Sequence, residues 1–311
     1  MRPPAENPPA VSVVIPTYRH AAYVEETLRS VFAQTFSDFE VIVINDGSPD
    51  NTAAVLRPWV ESGRIRYHEQ PNAGQSATRN RAIELARGEF IALLDDDDLW
   101  PPDKLAWQVE SLRRNPRAVL CYGYAQTFGM EQNYRLPAAA GPQGAVGEEF
   151  LRGNPISSPG QVLLRAQTVR ELRGFDPAIR GTEDWDLWIR LGRTGEFVYE
   201  DRCSLLYRLQ SQNASQNAPK MFHAGLQVLH KHLGRTPLNA RWRLWLQTRG
   251  FVGRFSSMIA FGQAFEAASA GNRSLALSRL AGAVRFFPPL LGTRRFWSAL
   301  ARCLAKPSAA A

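Results

Sequence analysis

A chain of 311 residues, 44% hydrophobic and 21% charged, has the balance of an ordinary globular protein, which excludes a fibrous or disordered chain. That length holds one sizeable core plus an appendage. The net charge of +8 is unevenly placed, because residues 235–311 carry 12 Lys and Arg against one acid, Glu266, while the other 234 residues hold 25 against 28. A near-neutral body with a basic tail implies an anionic surface met by the tail.

Met1 to Ala10 is Pro-rich and is expected to be disordered. It is not a basic-then-apolar leader, and no run of about 18 apolar residues follows, so the chain reads as neither secreted nor membrane-spanning. Short apolar runs then alternate with amphipathic stretches of helical length, which predicts an α/β fold with a parallel sheet. Strands are expected at Val11–Pro16, Glu40–Asn45, Arg64–Glu69, Phe90–Leu94 and Ala118–Tyr122, with helices at Ala21–Ala33, Asn51–Glu61, Gln75–Arg87 and Asp103–Asn115. Nearly continuous apolar strands such as Val41-Ile42-Val43-Ile44 need helices on both faces. Residues 129–160, rich in Gly, Pro, Ala and Ser, predict a long loop or lid. A second block follows, with Val162–Arg165, a Gly174-Phe175-Asp176-Pro177 turn, a helix from about Glu183, and strands near Phe197–Tyr199 and Ser204–Arg208. From about Pro219 the pattern is helical, and from Asn239 it is rich in Arg and aromatics.

In an open parallel sheet the ligand crevice lies beyond the carboxyl ends of the strands. The strongest signal sits there: Asp95-Asp96-Asp97-Asp98, four like charges after an apolar strand. Repulsion among them is relieved by Mg²⁺ or Mn²⁺, which takes one or two carboxylates plus phosphate oxygens and water. Asp95 and Asp97 form an Asp-x-Asp pair, and the competing reading is a solvated acidic turn with Asp98 as a cap. Asn45-Asp46-Gly47-Ser48 places Asp46 at the sheet edge as an acceptor for an N–H on a base, or is simply a turn with an N-cap. In Asn72 to Asn80, Arg79 lies about a turn inside a helix, where it either reaches a nucleotide or faces water. Thr182 to Arg190 begins a helix with Thr182 as N-cap and acids in its first turn. Those acids complement the helix dipole, or Asp184, anchored by Trp185, Trp188 and Ile189, serves as a base.

Val13 to Tyr18, Ser30 to Thr35, Val41 to Ser48, Asn72 to Asn80, Leu94 to Trp100 and Glu183 to Leu191 together resemble the family 2 glycosyltransferases of the GT-A fold, in order over about Val11–Arg208. The resemblance implies a Rossmann-like, mostly parallel central sheet flanked by helices, with a C-terminal helical extension outside it. It implies a catalytic domain over 11–218, with a nucleotide-binding half (11–122) and an acceptor half (123–218), and a basic helical extension over 219–311. Thr17, Tyr18, Asp46, Asn72 and Arg79 would line the nucleotide pocket, with Asp95 and Asp96 also binding the nucleotide sugar. Asp95 and Asp97 would hold the Mg²⁺ or Mn²⁺, and Asp184 would be the general base of an inverting transfer from a UDP- or dTDP-sugar to a glycan or lipid-linked acceptor. The processive members' Gln-x-x-Arg-Trp motif is absent, and Gln210 stands where Tyr-Arg-x-His would place a histidine.

The rival readings are weaker. Nucleic acid would be repelled from an acidic crevice, and a nucleotidyltransferase would want a Gly-rich, Lys-ended phosphate loop that is missing here. A non-catalytic nucleotide-sugar-binding protein would not need Asp95, Asp97 and Asp184 together. Three cysteines without a Cys-x-x-Cys pair (Cys121, Cys203, Cys303) fit a reducing cytoplasm. His230 and His232 are read as surface residues. In the tail, Leu277, Leu280, Ala281 and Val284, then Trp297, Leu300 and Leu304, recur at helical spacing beside arginines. Such helices lie on the anionic inner face of the cell membrane, or pack on the catalytic domain or on a second copy in a homo-oligomer.

Overall fold

The computed structural model describes residues 7–129, 134–136, 140–209, 217–234 and 238–304, with 302–304 described as backbone only. Met1 to Glu6 of the N-terminal stretch, and Gln210, lie outside the described residues. The chain divides into two units, Met1–Phe150 with Asn154–Gln210, and Leu151–Gly153 with Ser211–Ala311.

The first unit alternates strand and helix through β1 (Val11–Thr17), α1 (Val24–Phe32), β2 (Phe39–Asn45), α2 (Thr52–Glu61), β3 (Arg66–Glu69), α3 (Gln75–Leu85), β4 (Phe90–Leu93) and α4 (Lys104–Arg114). It continues with β5 (Ala118–Phe128), β6 (Arg135–Leu136), β7 (Val162–Arg165), α5 (Ala166–Glu171), α6 (Glu183–Gly192) and β8 (Glu196–Arg208). The order across the sheet is β3-β2-β1-β4-β7-β5-β6, with β8 on β5. β3, β2, β1 and β4 are mutually parallel, as their uninterrupted apolar burial requires. All seven residues of β1 are buried. The predicted mostly parallel sheet is therefore present, with β7 as an antiparallel insert between β4 and β5. A four-residue apolar run reads the same in either direction, so periodicity alone does not reveal that reversal.

Two glycines have geometric reasons. Gly47, at φ +69°, lets the chain turn after β2 and leaves no room for a side chain, since a Cβ would sit 3.0 Å from the Asn72 nitrogen. Gly174, at φ +63°, would drive a Cβ to 2.3 Å from Asn80 Oδ1. Asn80 holds that turn by donating to the Phe175 carbonyl and accepting from its N–H, both at 2.8 Å. Gly174→Ala is expected to cost about 2 kcal/mol through strain and loss of this clamp, read as a lower urea midpoint at unchanged slope.

Within the expected 129–160 loop, the described part from Pro142 onward is anchored to the rest of the chain. Val146, Phe150 and Ile156 are buried, Tyr122 donates its hydroxyl to the Pro142 carbonyl, and Ser158 caps the short helical turn Pro159–Gln161. The two predicted strands near Phe197–Tyr199 and Ser204–Arg208 form one strand, β8, parallel to β5 with register shifts along their length.

The second unit is helical: α7 (Ala218–Leu233), α8 (Leu238–Ser269), α9 (Arg273–Phe286) and α10 (Arg294–Leu304). Ala264, Ala267, Ala276, Leu280 and Phe296 form a core, with Leu277, Val284 and Leu300 packed against it. The α9 stripe, read as lying on a membrane or packing on protein, is thus turned into this unit's own core. His232, read as a surface residue, is buried on α7, while His230 is exposed.

Candidate active site

The predicted site residues of the first half lie at or just past the strands' carboxyl ends, except Arg79, which lies on α3. Thr17 closes β1 with a buried hydroxyl that has no partner among the described residues, and its carbonyl accepts the Asp46 N–H at 2.9 Å. Tyr18 follows, 37% exposed, with the Arg19 guanidinium 5.1 Å from its ring centre. Asp46, just past β2, is buried, and its carboxylate orders the start of α3. Oδ1 accepts from Gln70 Nε2 (2.8 Å) and the Ala73 N–H (2.9 Å), and Oδ2 accepts from the Gly74 N–H (2.9 Å). Negative charge is favoured where those helix-start N–H groups converge. Asn72 donates to the Asp46 carbonyl at 3.1 Å, so the two expected pocket residues brace one another.

Past β4 the acid run folds back as a turn, closed by the Asp98 N–H on the Asp95 carbonyl at 3.2 Å. The four carboxylates therefore separate into different tasks. Asp95 accepts from Arg79 Nη2 at 2.5 Å. Asp96 accepts the Tyr18 N–H at 3.2 Å and faces His20 Nδ1 at 2.6 Å. Asp97 is pushed up to about 6 by burial and by the charges of Asp95 and Asp96. Asp98, buried, is raised well above the usual carboxylate range, again chiefly by burial. It is no helix cap: its Oδ1 accepts the Arg208 N–H at 2.9 Å, and its carbonyl accepts the Thr27 hydroxyl at 2.9 Å.

Arg79 is the centre of the site. The α3 helix carries it inward to 2% exposure, which rules out the water-facing reading. Its Nη1 reaches Glu183 at 3.2 Å, while Nη2 holds Asp95, and the Phe175 ring centre lies 5.4 Å from the guanidinium. A fully buried cation demands such partners. The pair ties the end of β4 to the start of α6, and Asp184 also lies in the field of Arg79 and Asp95. Asp184 is partly exposed, its Oδ1 accepts the Trp185 N–H at 2.7 Å, and Trp185 and Trp188 are buried beneath. Burial first, then Glu183, push its carboxyl up to about 7. Thr182 occupies the N-cap position of α6, but its side chain makes no capping bond.

Among the described residues, His20, Asp96 and Asp97 each offer one ligand atom, all within 4.8 Å of one another. Two carboxylate oxygens with one imidazole nitrogen suit a divalent cation of the Mn²⁺ or Mg²⁺ type, so the residues present fit that group. The geometry draws Asp95 toward Arg79 and sets Asp96 and His20 beside Asp97 instead. The hydrogen bond to Asp96 raises His20 to about 9, aided by Asp97 and Asp95, so a cation taking its nitrogen would have to displace that proton. Sequence reasoning does not single out His20, Glu183 or Arg208. Arg208 donates Nε to the Asp97 carbonyl at 2.8 Å and pairs with Glu26, pinning the acid turn from β8. The one sequence signal for it is the Tyr207-Arg208 step two residues before Gln210.

A family model, Glycosyl transferase family 2, matches residues 12–173. An uncharacterized glycosyltransferase of Rickettsia felis is 29% identical over 215 residues, covering 67% of this chain and 35% of that one. This chain spans about a third of the length of that relative and of two further Rickettsia relatives. The putative teichuronic acid biosynthesis glycosyltransferase TuaG of Bacillus subtilis is 30% identical over 213 residues, covering 67% of this chain and 82% of that one. Among solved structures, the mannosyltransferase PcManGT from Pyrobaculum calidifontis, in complex with GDP-Man and Mn²⁺, has a TM-score of 0.59 at 19% identity, covering 96% of this chain and 87% of that one. With just over half of its length matched by the family model, and a fold shared with a solved glycosyltransferase, the chain belongs to glycosyl transferase family 2.

Proposed function

We propose that this chain is an inverting, metal-dependent glycosyltransferase. It moves a sugar from a nucleotide-diphosphate donor, a UDP- or dTDP-sugar, to a hydroxyl on a glycan or lipid-linked acceptor in bacterial surface polysaccharide or glycolipid assembly. The observation that carries the reading is the buried Arg79, which joins Asp95 of the acid turn to Glu183, next to Asp184. Chemistry that separates a leaving diphosphate from an attacking hydroxyl needs those two acidic regions in one site. The names of the Bacillus relative and of the GDP-Man- and Mn²⁺-bound mannosyltransferase support it.

In this reading Thr17, Tyr18, Asp46 and Asn72 bind the base and ribose, with Asp46 Oδ2 offering its remaining lone pair to a base N–H. Asp95 and Asp96 position the ribose and diphosphate, and Arg79 orients Asp95. Asp97, with Asp96 and His20, would hold the cation. Bound Mg²⁺ or Mn²⁺ supplies several kcal/mol of Lewis-acid stabilisation to charge growing on the diphosphate. Asp184 accepts the proton of the acceptor hydroxyl as its oxygen bonds to the anomeric carbon. The bond from that carbon to the diphosphate oxygen breaks on the opposite face, and the configuration inverts. A carboxyl held near 7 suits a base working at neutral pH.

A thermal-shift panel of nucleotide sugars with and without Mn²⁺ tests the reading and narrows the donor base. A nucleotide sugar at about 100 times its Kd should add about 2.7 kcal/mol of stability. EDTA should abolish most of that gain. His20→Ala should weaken Mn²⁺ binding, followed by calorimetry or Mn²⁺ EPR, by about 10- to 100-fold. Donor binding indifferent to EDTA would remove the metal from the scheme.

A further inference from the structure

Exposed large apolar side chains concentrate on the basic unit. Leu238, Trp242 and Leu246 are 79%, 58% and 53% exposed, and Met258, Phe265 and Trp297 are also open to water. The first three recur every four residues along α8 and therefore form one stripe. Arg249 falls on the same stripe, three residues beyond Leu246, and Arg241 and Arg243 flank Trp242. The Arg243 guanidinium lies 5.3 Å from the Trp242 ring centre, and that of Arg249 lies 5.5 Å from the Trp245 ring centre. From Leu238 to Phe265, α8 contains no acidic residue.

We infer that the amino-terminal half of α8 lies flat on an anionic lipid leaflet, with Trp242 and Leu246 inserted at the headgroup boundary and Arg241, Arg243 and Arg249 meeting lipid phosphates. Aromatic rings carrying a stacked guanidinium suit that boundary, where one side is apolar and the other wet. No helix among the described residues is long and apolar enough to cross a membrane, so the contact is a surface one. A second copy of the chain is the poorer occupant, because residues 235–311 carry 12 Lys and Arg against one acid and two such faces repel. This face differs from the stripe at Leu277, Leu280 and Val284 that periodicity suggests, which is spent on the unit's own core. The inference goes beyond the sugar-transfer reading and stands or falls apart from it.

The test is co-sedimentation of the full chain with vesicles of phosphatidylcholine alone or mixed with phosphatidylglycerol. The wild-type chain should bind the mixed vesicles at least about tenfold more tightly than the neutral ones, and binding should weaken as salt rises. A triple variant, Arg241→Gln with Arg243→Gln and Arg249→Gln, should lose about tenfold or more. A double variant, Trp242→Ser with Leu246→Ser, should leave a residual attachment that moderate salt removes. Trp242, Arg243 and Leu246 are exposed and Arg241 and Arg249 half-buried, so an unchanged thermal transition and donor affinity would certify the fold. Three results would each overturn the inference: no sedimentation with mixed vesicles, equal binding by both variants and wild type, or a concentration-dependent dimer that the double variant dissolves. Retention on duplex DNA without vesicle binding would overturn it too.

Discussion

Asp184→Asn is expected to lower kcat by about 10²- to 10⁴-fold while leaving nucleotide-sugar affinity near normal, the signature of a lost proton acceptor. The same substitution should raise stability. Asp184 is held at about 7, above the ordinary carboxylate value, so its folded-state preference is for the neutral acid. Its contribution is complete at acid pH and is lost as the pH rises through about 7. A permanently neutral Asn escapes that loss. At pH 8 the gain should be on the order of 1 kcal/mol or more, discounted because the side chain is partly exposed. The wild-type kcat should climb with pH and level off above about 7, as the carboxylate form accumulates. Near-normal turnover by the Asn variant, or a flat profile from pH 5 to 8, would remove Asp184 as the base.

Arg79→Ala should be the most damaging single change to the fold of the site. It strands Asp95 and Glu183, the two carboxylates that share the buried guanidinium, and breaking a buried pair costs about 3–5 kcal/mol. Urea unfolding should show that loss, and the variant should no longer bind nucleotide sugar. Arg79→Lys keeps the charge but cannot serve two acceptors with one planar fork, so it should recover only part of the stability. Because structural collapse alone would also abolish binding, the informative comparison is Glu183→Gln. It relieves one of the two carboxylates and should cost clearly less than Arg79→Ala. Equal costs would mean that the cation is not what joins the two acidic segments.

The strands were legible because apolar runs must be buried on both faces, and β7 was located to the residue. The single strand β8 was not, since Glu200, Asp201 and Arg202 interrupt its apolar pattern while pairing with β5 resumes at Cys203. The acid run was legible as an electrostatic conflict that needs resolving. How its members divide the work was not, because that depends on a turn and on partners far along the chain. Arg79 illustrates the limit: α3 buries Ser76, Thr78 and Arg79 along with Ala82 and Ile83, so no amphipathic stripe marks its inward face. His20 carried no spacing signal at all, since its nearness to Asp96 and Asp97 spans 76 residues and more.

The tether from Arg208 to the acid turn has a consequence for how the protein is made. The turn at Asp97 and Asp98 is fastened by a residue 110 and more positions downstream, at the last position of β8. A nascent chain that has released only β1 to β4 from the ribosome already carries the carboxylates, with Arg79 in reach of Asp95 and with Tyr18 and His20 in reach of Asp96, but the Asp97 carbonyl and the Asp98 side chain still lack Arg208. The geometry of the acid turn is therefore completed late in synthesis, when Arg208 emerges and docks.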